Sequence, residues 1–317
     1  MIHQLLAAAA LAAIVAAPTG AMAQARPLAG QTVTIVEPFG RDSITDKTLR
    51  LLAPGMEKAL GAKIVVAYQR SPVGTEAYQR VAKAKPDGTT LLVIADATRL
   101  FHENLAGAKD KLEALTPVAK LTDGVSLALV TRANGPLPDY KTLFLKMRDD
   151  KLRPTLSLTD SASPAGVFAA ILEDDTSGRF GARQFQVDRE TIDDLEAGKV
   201  DLAILPTPIL LDRARKLRGL LTSGARRHPA LPDVPTFVEE SHKRKLSFTI
   251  AVGLYGPAGM PPTVVAALHA AAKDAAAAPA VKTGANAAGL PVVVNDATVL
   301  REAMARTRRV ISDLLAP

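Results

Sequence analysis

The chain has 317 residues, which is enough for one large domain or for two lobes of ordinary size. Tryptophan and cysteine are absent and aromatic residues make up only 4% of the chain. This composition argues against nucleic-acid recognition by base stacking and excludes thiolate metal sites and cysteine nucleophiles. The net charge of +7 suits nucleic acid, an anionic membrane surface or small acidic ligands. The basic residues are scattered, as is typical of solvated helix faces.

The first 23 residues are typical of a secretory signal. An apolar run covers residues 5–17, which is too short for a transmembrane helix, and Pro18 and Gly20 interrupt the chain after it. Residues 21–23, Ala-Met-Ala, supply the small-x-small pattern of a cleavage site. We therefore predict export to the periplasm with cleavage after Ala23, and an uncleaved anchor is the alternative.

Two rounds of one pattern follow, and the first predicts an α/β unit. It has a strand at 33–39, a helix at 43–60, a strand at 63–68, a helix at 75–84 and a strand at 89–96. Ser43 and Asp46 form a capping box for the first helix, and Gly61 ends it. Strands that alternate with helices in this way predict a parallel sheet with right-handed crossovers.

The second round starts near Val125. Its strands are predicted at 125–131, 155–160, 183–188 and 200–206, and its helices at 139–150, 161–175 and 189–198. Ser163 is the expected N-cap of the second of these helices, with Pro164 at the favoured first helical position. Two open α/β units in a chain of this length predict two lobes.

A proline-rich string, SGARRHPALPDVPTFVE at 223–239, follows the second unit. Its three prolines exclude the middle of a helix or of a central strand, so we predict a rigid loop where the chain has re-entered the first lobe. A strand at 249–257, a helix from Pro262, a strand at 291–294 and a last helix capped by Asp296 come after it. The predicted first lobe is therefore 24–124 with 224–317, and the second lobe is 125–223.

Four strings resemble one known family, the periplasmic solute-binding proteins of tripartite tricarboxylate transporters, or Bug family. They are KPDGTTLL at 85–92, EAGKVDLAI at 196–204, PALPDVPT at 229–236 and GLYGPAGMPP at 253–262. These strings occur in the family's order, and the resemblance covers nearly the whole chain after the signal.

The resemblance implies a type II periplasmic-binding-protein fold, in which two α/β lobes close around a central cleft. It further implies that the chain captures a small organic carboxylate and is not an enzyme. The expected partners are a small organic acid or an amino acid, together with membrane transporter subunits or a sensor kinase. Nucleic acid is not expected, and the chain is expected to be a monomer. Elementary physics agrees, because helix N-termini at the carboxyl ends of strands favour anions.

The same resemblance places the ligand-binding residues in the loops at the cleft. In the first lobe they are Phe39, Arg41, Ser43, Arg70, Gly74, Asp96 and Thr98, and in the second lobe they are Ser161, Ser163 and Asp188. We expect Ser43, Gly74, Ser161 and Ser163 to orient the carboxylate, with Arg41 as a movable positive charge at the rim.

The chain departs from the family at these loops. The family's loop after the first strand contains three consecutive glycines, and this chain has Asp42, Ser43 and Ile44 there. Asp42, Asp96 and Asp160 on the cleft side would repel a second carboxylate, whereas Arg41 and Arg70 would attract one. These acids would repel three classes of ligand less than they would repel a dicarboxylate: a monocarboxylate, an amino acid, or a ligand with a cationic group. Each Asp also has an ordinary role as an N-cap or turn residue.

Two further functions stay open beside solute binding. One is an interaction protein that has lost solute binding and docks a membrane receptor, which the lost glycines favour. The other is an enzyme on the same fold, but the sequence contains no HExxH, P-loop, GxSxG or dinucleotide fingerprint. The five histidines do not have the spacing of metal ligands, so no metal is expected. No cofactor is expected either.

Overall fold

The computed structural model describes residues 27–315, apart from residues 106, 108–110, 150–151, 159–160, 162, 182, 186–187, 242 and 244. The predicted export signal and its cleavage site lie outside the described residues and stay predictions. In the part of the chain that is described, no single helix has the length and apolar character to cross a membrane. Two helices, Pro262–Ala277 and Pro279–Ala287, reach that length and composition only when taken together across a 73° bend.

Strands and helices alternate through most of the chain. The strands are β1 (Thr32–Glu37), β2 (Lys63–Tyr68), β3 (Thr90–Ala95), β4 (Thr116–Thr122), β5 (Leu127–Arg132), β6 (Leu156–Leu158), β7 (Arg183–Phe185), β8 (Leu202–Pro206), β9 (Leu217–Thr222), β10 (Val252–Gly256) and β11 (Val292–Asp296). The helices are α1 (Ile44–Leu60), α2 (Thr75–Ala82), α3 (Asp96–Leu105), α4 (Tyr140–Arg148), α5 (Pro164–Thr176), α6 (Asp188–Glu196), α7 (Thr207–Asp212), α8 (Phe237–Glu240), α9 (Pro262–Ala277), α10 (Pro279–Ala287) and α11 (Ala297–Leu315).

These strands form two separate sheets. The first has the order β11-β4-β10-β3-β1-β2, so strands from both ends of the chain build it, and the second has the order β7-β6-β8-β5-β9. The prediction of parallel sheets is right for β2-β1-β3 and for β7-β6-β8. It is wrong for β5, which opens the second predicted unit and runs antiparallel to β8. Outside the predicted units, β10 runs antiparallel to β3. The helix that follows β5 therefore does not complete a parallel β-α-β unit.

The predicted helix ends are confirmed where local chemistry sets them. Gly61 ends α1 in the left-handed region at φ 64°, Ser163 caps α5 ahead of Pro164, and Asp296 accepts hydrogen bonds from two amides of α11. Close helix packing also needs glycine at Gly55, where a Cβ would lie 2.7 Å from the Cβ of Ala275. This close approach seats α9 against α1.

Five elements were not predicted from the sequence: β4, α3, α7, β9 and α8. Within β4 a proline and a buried lysine, Lys120, interrupt the apolar pattern, and α3 buries the charged Arg99 and Glu103 completely. Arg99 Nε lies 3.4 Å from Glu103 Oε1, and the Arg99 guanidinium lies over the Tyr78 ring at 4.6 Å from its centroid. A buried helix face made of paired charges carries no hydrophobic periodicity, so the pattern could not reveal it.

Two crossover segments join the sheets, and they are bonded to each other. Val125 and Ile250 exchange backbone hydrogen bonds of 2.6 and 2.8 Å. The hydroxyl of Ser223 accepts from the amide of Leu127 and donates to the carbonyl of Phe248, both at 2.9 Å. We call residues 123–127 and 247–251, together with Ser223, the hinge.

The proline-rich string, predicted as a loop on the first lobe, has contacts with the second sheet. Thr236 forms a parallel bridge with Thr222 at the end of β9, and Leu231 packs on the core cluster of the second sheet. Phe237 in α8 makes an edge contact with Phe168 of α5 at 5.9 Å between ring centroids. Leu231, Thr236 and Phe237 thus lie against the second sheet and its helix α5, and the next strand of the first sheet, β10, begins at Val252.

Candidate ligand-binding site

A cavity lies between the two sheets, and we call it the cleft cavity. It is lined by Phe39, Ser43, Ile44, Ala95, Thr98, Leu127, Ser163, Pro164, Ala165, Ile204, Pro206 and Ile250. Its volume is about 50 Å³, and one water molecule needs roughly 10–15 Å³ of such volume. The cavity therefore has room for a few waters or for a small ligand group, between apolar walls with a few hydroxyls.

Two helices from opposite sheets begin at the cleft cavity. Ser43 caps α1 and Ser163 caps α5, and each hydroxyl accepts a hydrogen bond from an amide in the first turn of its helix, at 3.1 and 3.2 Å. Within the described residues, the amides of Ile44 and Ala165 in these first turns donate to no acceptor. Because helix N-termini combine free N–H groups with a partial positive charge, the arrangement favours an anion.

The loop between β1 and α1 is organised by the buried carboxylate of Glu37. Its Oε2 accepts from the amides of Phe39, at 3.0 Å, and Gly40, at 2.5 Å. Its Oε1 accepts from the hydroxyls of Ser43, at 2.9 Å, and Thr45. Burial raises the pKa of Glu37 above its ordinary value, and the donated hydrogen bonds oppose that rise. One carboxylate thus fixes the loop that carries Phe39 and Ser43 to the cavity.

A second buried carboxylate, Asp46, ties the same loop to β2. Its Oδ2 accepts from the amide of Asp42 at 2.9 Å and from Nε of Arg50 at 2.8 Å, and its Oδ1 accepts from the Tyr68 hydroxyl at 2.5 Å. The predicted capping box is therefore half right, since the Asp46 carboxylate bonds the Asp42 amide and not that of Ser43. Asp42 has a φ of 70°, which non-glycine residues seldom adopt.

A second cavity of about 320 Å³ opens beside the first, and we call it the mouth cavity. It is lined by Phe39, Gly40, Arg41, Tyr68, Arg70, Arg189 and Glu190. Two ion pairs join its rims: Arg70 Nη2 lies 2.9 Å from Glu190 Oε1, and Arg189 Nη1 lies 3.4 Å from an oxygen of Asp42. The loops of the first sheet are thereby linked to α6 of the second.

A third cavity of about 360 Å³ lies at the hinge, and it corrects the prediction for Asp96. This hinge cavity is lined by Asp96, Phe101, Lys120, Asp123, Gly124, Ala225, Ser247, Phe248, Thr249, Ala251, Ala303, Arg306, Thr307 and Val310. Oδ1 of Asp96 accepts from the amides of Ala97, at 2.6 Å, and Ala251, at 3.1 Å. These bonds turn the carboxyl toward the crossover segment, so it does not line the cleft cavity as expected.

The carboxyl of Asp96 is only half satisfied. Among the described residues its Oδ2 has no hydrogen-bond partner, and the residue is 1% exposed. Burial raises the pKa of Asp96 to about 6, against the opposing hydrogen bonds from Ala251 and Ala97 and the charge of Lys120. Asp96 is therefore a titratable group of the hinge.

The other predicted ligand residues divide between the cavities. Phe39, Ser43, Thr98 and Ser163 line the cleft cavity, and Arg41 and Arg70 line the mouth cavity with Phe39. Gly74 lies outside both linings; it has a φ of 75°, and a Cβ there would meet Ile94 at 2.9 Å. Ser161 is exposed in a turn, Asp188 begins α6, and Asp160 lies outside the described residues.

Several residues of the site were not foreseen from the sequence. They are the apolar wall residues Ile44, Leu127, Ile204 and Ile250, the organising acid Glu37, and the α6 pair Arg189 and Glu190. The sequence does predict approximately that these residues lie at the ends of strands and helices, and this position is the one feature that could have marked them as site residues. Which of two neighbouring residues faces a cavity depends on the register and on the hydrogen bonds of the loop.

Comparison with known families gives one match that covers most of the chain. The model of the tripartite tricarboxylate transporter family receptor, TctC, matches residues 48–314. A UPF0065 protein of Bordetella pertussis is 26% identical over 266 residues, which are 81% of this chain and 80% of that protein.

Solved structures share the architecture. The periplasmic binding protein BugD has a TM-score of 0.80 at 22% identity and covers 90% of this chain and 96% of its own. MatC from Rhodopseudomonas palustris, solved with bound malate, has a TM-score of 0.78 at 25% identity and covers 89% of this chain and 99% of its own. The predicted fold class, two α/β lobes around a central cleft as in type II periplasmic binding proteins, is confirmed.

Proposed function

The chain belongs to the tripartite tricarboxylate transporter receptor family, and on that premise we propose that it captures a small organic carboxylate in the cleft cavity. Members of this family are receptors and not enzymes, and BugD is a periplasmic binding protein. We further propose that this chain works in the periplasm after removal of its signal, as a monomer. There it hands its ligand to the membrane subunits of a tripartite tricarboxylate transporter.

One observation carries the proposal: the first turns of α1 and α5 come from different sheets and meet in the same cavity. An anion there receives amides and helix-terminus charge from two sides, which is worth about 0.3–2 kcal/mol for each helix. The apolar residues Leu127, Ile204 and Ile250 suit the carbon skeleton of an organic acid.

The hydroxyl of Thr98 supplies a further contact. Thr98 lines the cleft cavity and is 8% exposed, and its hydroxyl has no hydrogen-bond partner among the described residues. A nearly buried hydroxyl that faces a cavity without a protein partner is available to a ligand or to a bridging water.

We propose that the two sheets are the cores of two lobes that close on the ligand. The hinge between them consists of the bonded crossovers at Val125 and Ile250 and the hydroxyl of Ser223. Because Leu231, Thr236 and Phe237 of the proline-rich string contact the second sheet and α5, we place the return to the first lobe near Ile250 and not at 223. Closure would then present the occupied cleft to the membrane subunits.

Calorimetric titration with malate, and with a panel of mono- and dicarboxylates, tests the proposal. The variant Thr98→Val keeps the side-chain shape and removes the hydroxyl. We expect it to weaken binding by roughly three- to tenfold, since one neutral hydrogen bond contributes about 0.5–1.5 kcal/mol. Thr90→Val at the opposite end of β3 is the matched control and should bind as the wild type does.

The test also separates the alternatives. Wild-type protein that binds no carboxylate, and releases no small molecule on denaturation into a mass spectrometer, would leave only the interaction protein that docks a membrane receptor. Binding that Thr98→Val leaves unchanged would retain the receptor function and remove Thr98 from the site.

A further inference from the structure

Asp96 lies in the wall between the cleft cavity and the hinge cavity. It lines the hinge cavity itself, and its near neighbours in the chain, Ala95 and Thr98, line the cleft cavity. Its Oδ1 accepts from the amide of Ala251, which directly follows the cleft residue Ile250. Because consecutive Cα atoms lie about 3.8 Å apart, the carboxyl stands on the order of 10 Å from a ligand in the cleft cavity.

The two oxygens of this carboxyl have different surroundings. Oδ1 accepts from the amides of Ala97 and Ala251, at 2.6 and 3.1 Å, and so ties the start of α3 to the hinge. Oδ2 is buried and has no hydrogen-bond partner among the described residues. A proton that binds to Oδ2 therefore removes the charge and leaves both hydrogen bonds to Oδ1 in place. Asp96 can thus change its charge without releasing the hinge.

The groups around Asp96 let both of its charge states occur near neutral pH. Burial raises its pKa to about 6, and the positive charge of Lys120 in β4 opposes that rise. Nζ of Lys120 also lies 2.6 Å from Oδ1 of Asp123, which lines the same cavity with Arg306 of α11. The phenol of Tyr255 in β10 stays neutral, because burial raises its pKa well above the ordinary value. Asp96 is therefore partly ionised between about pH 5 and 7.

The cleft cavity offers no opposite charge that would screen Asp96 from a ligand. Every residue that lines this cavity is apolar or carries a hydroxyl. A carboxylate bound at the starts of α1 and α5 therefore repels an ionised Asp96 and favours its neutral form. Because linkage is reciprocal, a neutral Asp96 strengthens the binding of the carboxylate by the same factor.

We propose that Asp96 takes up a proton from solvent when a carboxylate binds in the cleft, so that ligand capture by this receptor is coupled to protonation of the hinge. The inference rests on the proposed function and adds a regulation to it. The free receptor with ionised Asp96, the ligand anion and one solvent proton combine into a complex that holds neutral Asp96. Affinity is therefore fullest below about pH 6, the pKa of Asp96, and falls as the pH rises through and above that value.

Calorimetric titration with malate at steps from pH 5 to pH 8 tests the coupling. We expect wild-type affinity to be roughly three- to tenfold lower at pH 8 than Asp96→Asn shows at the same pH, and equal to it at pH 5. A tenfold effect corresponds to two unit charges about 12 Å apart at an effective dielectric constant of about 20. The titration of malate itself and of Glu37 is common to both proteins, so the ratio of the two affinities isolates Asp96.

Proton uptake is a second readout, and a merely structural role of Asp96 would not change it. Titrations with malate at pH 6.5 in buffers of different ionisation enthalpy give the number of protons that binding takes up. The wild type should take up about 0.3–0.5 proton more than Asp96→Asn does. Asp274→Asn removes an exposed acid of α9 and is the control for a lost carboxylate, which should match the wild type in both readouts.

The outcomes distinguish this inference from the proposed function. If the ratio of the two malate affinities is the same at every pH, or if Asp96→Asn takes up as many protons as the wild type, the coupling is wrong and the carboxylate receptor stands. If the wild type binds no acid of the panel at any pH, the proposed function fails and takes the inference with it. The variant should stay folded throughout, because it removes a buried charge and keeps an oxygen for both amides.

Discussion

Two buried acids stand at the carboxyl ends of neighbouring parallel strands, and their surroundings differ. Glu37 ends β1 and accepts four hydrogen bonds, two on each oxygen. Asp96 follows β3 and accepts two, both on Oδ1, while Oδ2 has no partner among the described residues. Burial raises the pKa of both groups, that of Asp96 to about 6.

The role of a buried carboxylate depends on how many of its oxygens accept hydrogen bonds. A buried carboxylate whose two oxygens both accept hydrogen bonds, such as Glu37, fixes the ligand loop and gives the polar groups around it an acceptor. A buried carboxylate with one oxygen that accepts no hydrogen bond, such as Asp96, is costly to ionise. Its protonation, and with it the stability of the protein, therefore depends on pH. Both residues stand at the carboxyl end of a strand in the first sheet. The difference in their pKa therefore depends on the hydrogen-bond donors that the fold places around each carboxylate.

The largest expected effect is that of removing the satisfied acid. Glu37→Ala leaves the amides of Phe39 and Gly40 and the hydroxyls of Ser43 and Thr45 without their acceptor, in a buried loop. Each orphaned group costs about 1–3 kcal/mol unless water reaches it. We expect a loss of about 3–5 kcal/mol in the free energy of unfolding, measured by urea denaturation at pH 7.

A matched control for Glu37→Ala is Glu302→Ala, which removes an exposed acid of α11 that lies 3.9 Å from Arg306. It should cost under about 0.5 kcal/mol. A loss below about 1 kcal/mol for Glu37→Ala would contradict the organising role, whereas a large loss that also abolishes carboxylate binding would support it.

The next effect has the opposite sign and comes from the half-satisfied acid. Asp96→Asn keeps an oxygen for the amides of Ala97 and Ala251 and removes a buried charge. The folded-state pKa is raised from 3.8 to about 6, so wild-type stability is fullest below pH 3.8 and falls as the pH rises through about 6. Two pKa units correspond to about 3 kcal/mol, and we expect the variant to be about 2–3 kcal/mol more stable at pH 8.

The pH series provides the check on Asp96. Urea denaturation at steps from pH 8 to pH 4 should show the advantage of Asp96→Asn shrinking toward zero. Lys120 faces the same group and opposes the rise in its pKa, and the value of about 6 already includes that attraction. Glu37→Gln, measured alongside, should lose about 1–2 kcal/mol, because an amide nitrogen replaces an acceptor. A gain in both variants, or in neither, would erase the contrast.

Much of the fold could be predicted from local chemistry. Ser163 with Pro164, Gly61 and Asp296 mark helix ends by their own capping requirements, and those ends are confirmed. The strands with continuous apolar runs were also found, because such a run is a local signal in the sequence. The antiparallel direction of β5 could not be predicted, because it depends on how two sheets exchange the chain across the hinge.

The site could be predicted only as a set of loops. Its residues follow strand ends as expected, and Phe39, Thr98 and Ser163 do line the cleft cavity. The orientation of Asp96 depends on one amide, that of Ala251, which lies 155 residues further along the chain. A contact at that separation leaves no local pattern, and the ion pairs of Arg70 and Asp42 with α6 depend equally on the placement of the second sheet.

The smallest of the three effects concerns Ser43, which links the satisfied acid to the ligand helix. Its hydroxyl donates to Glu37 at 2.9 Å and accepts from the amide of Asp46 at 3.1 Å. Ser43→Ala removes an N-cap, which costs about 0.5–2 kcal/mol, while Glu37 keeps its three other donors. We expect a loss of about 1–2 kcal/mol by urea denaturation, and Ser43→Thr, which keeps the hydroxyl, should lose less than half of that. If the two variants lose equal stability, side-chain shape and not the cap determines the stability here, and the loop is held by the three other donors to Glu37, the amides of Phe39 and Gly40 and the hydroxyl of Thr45.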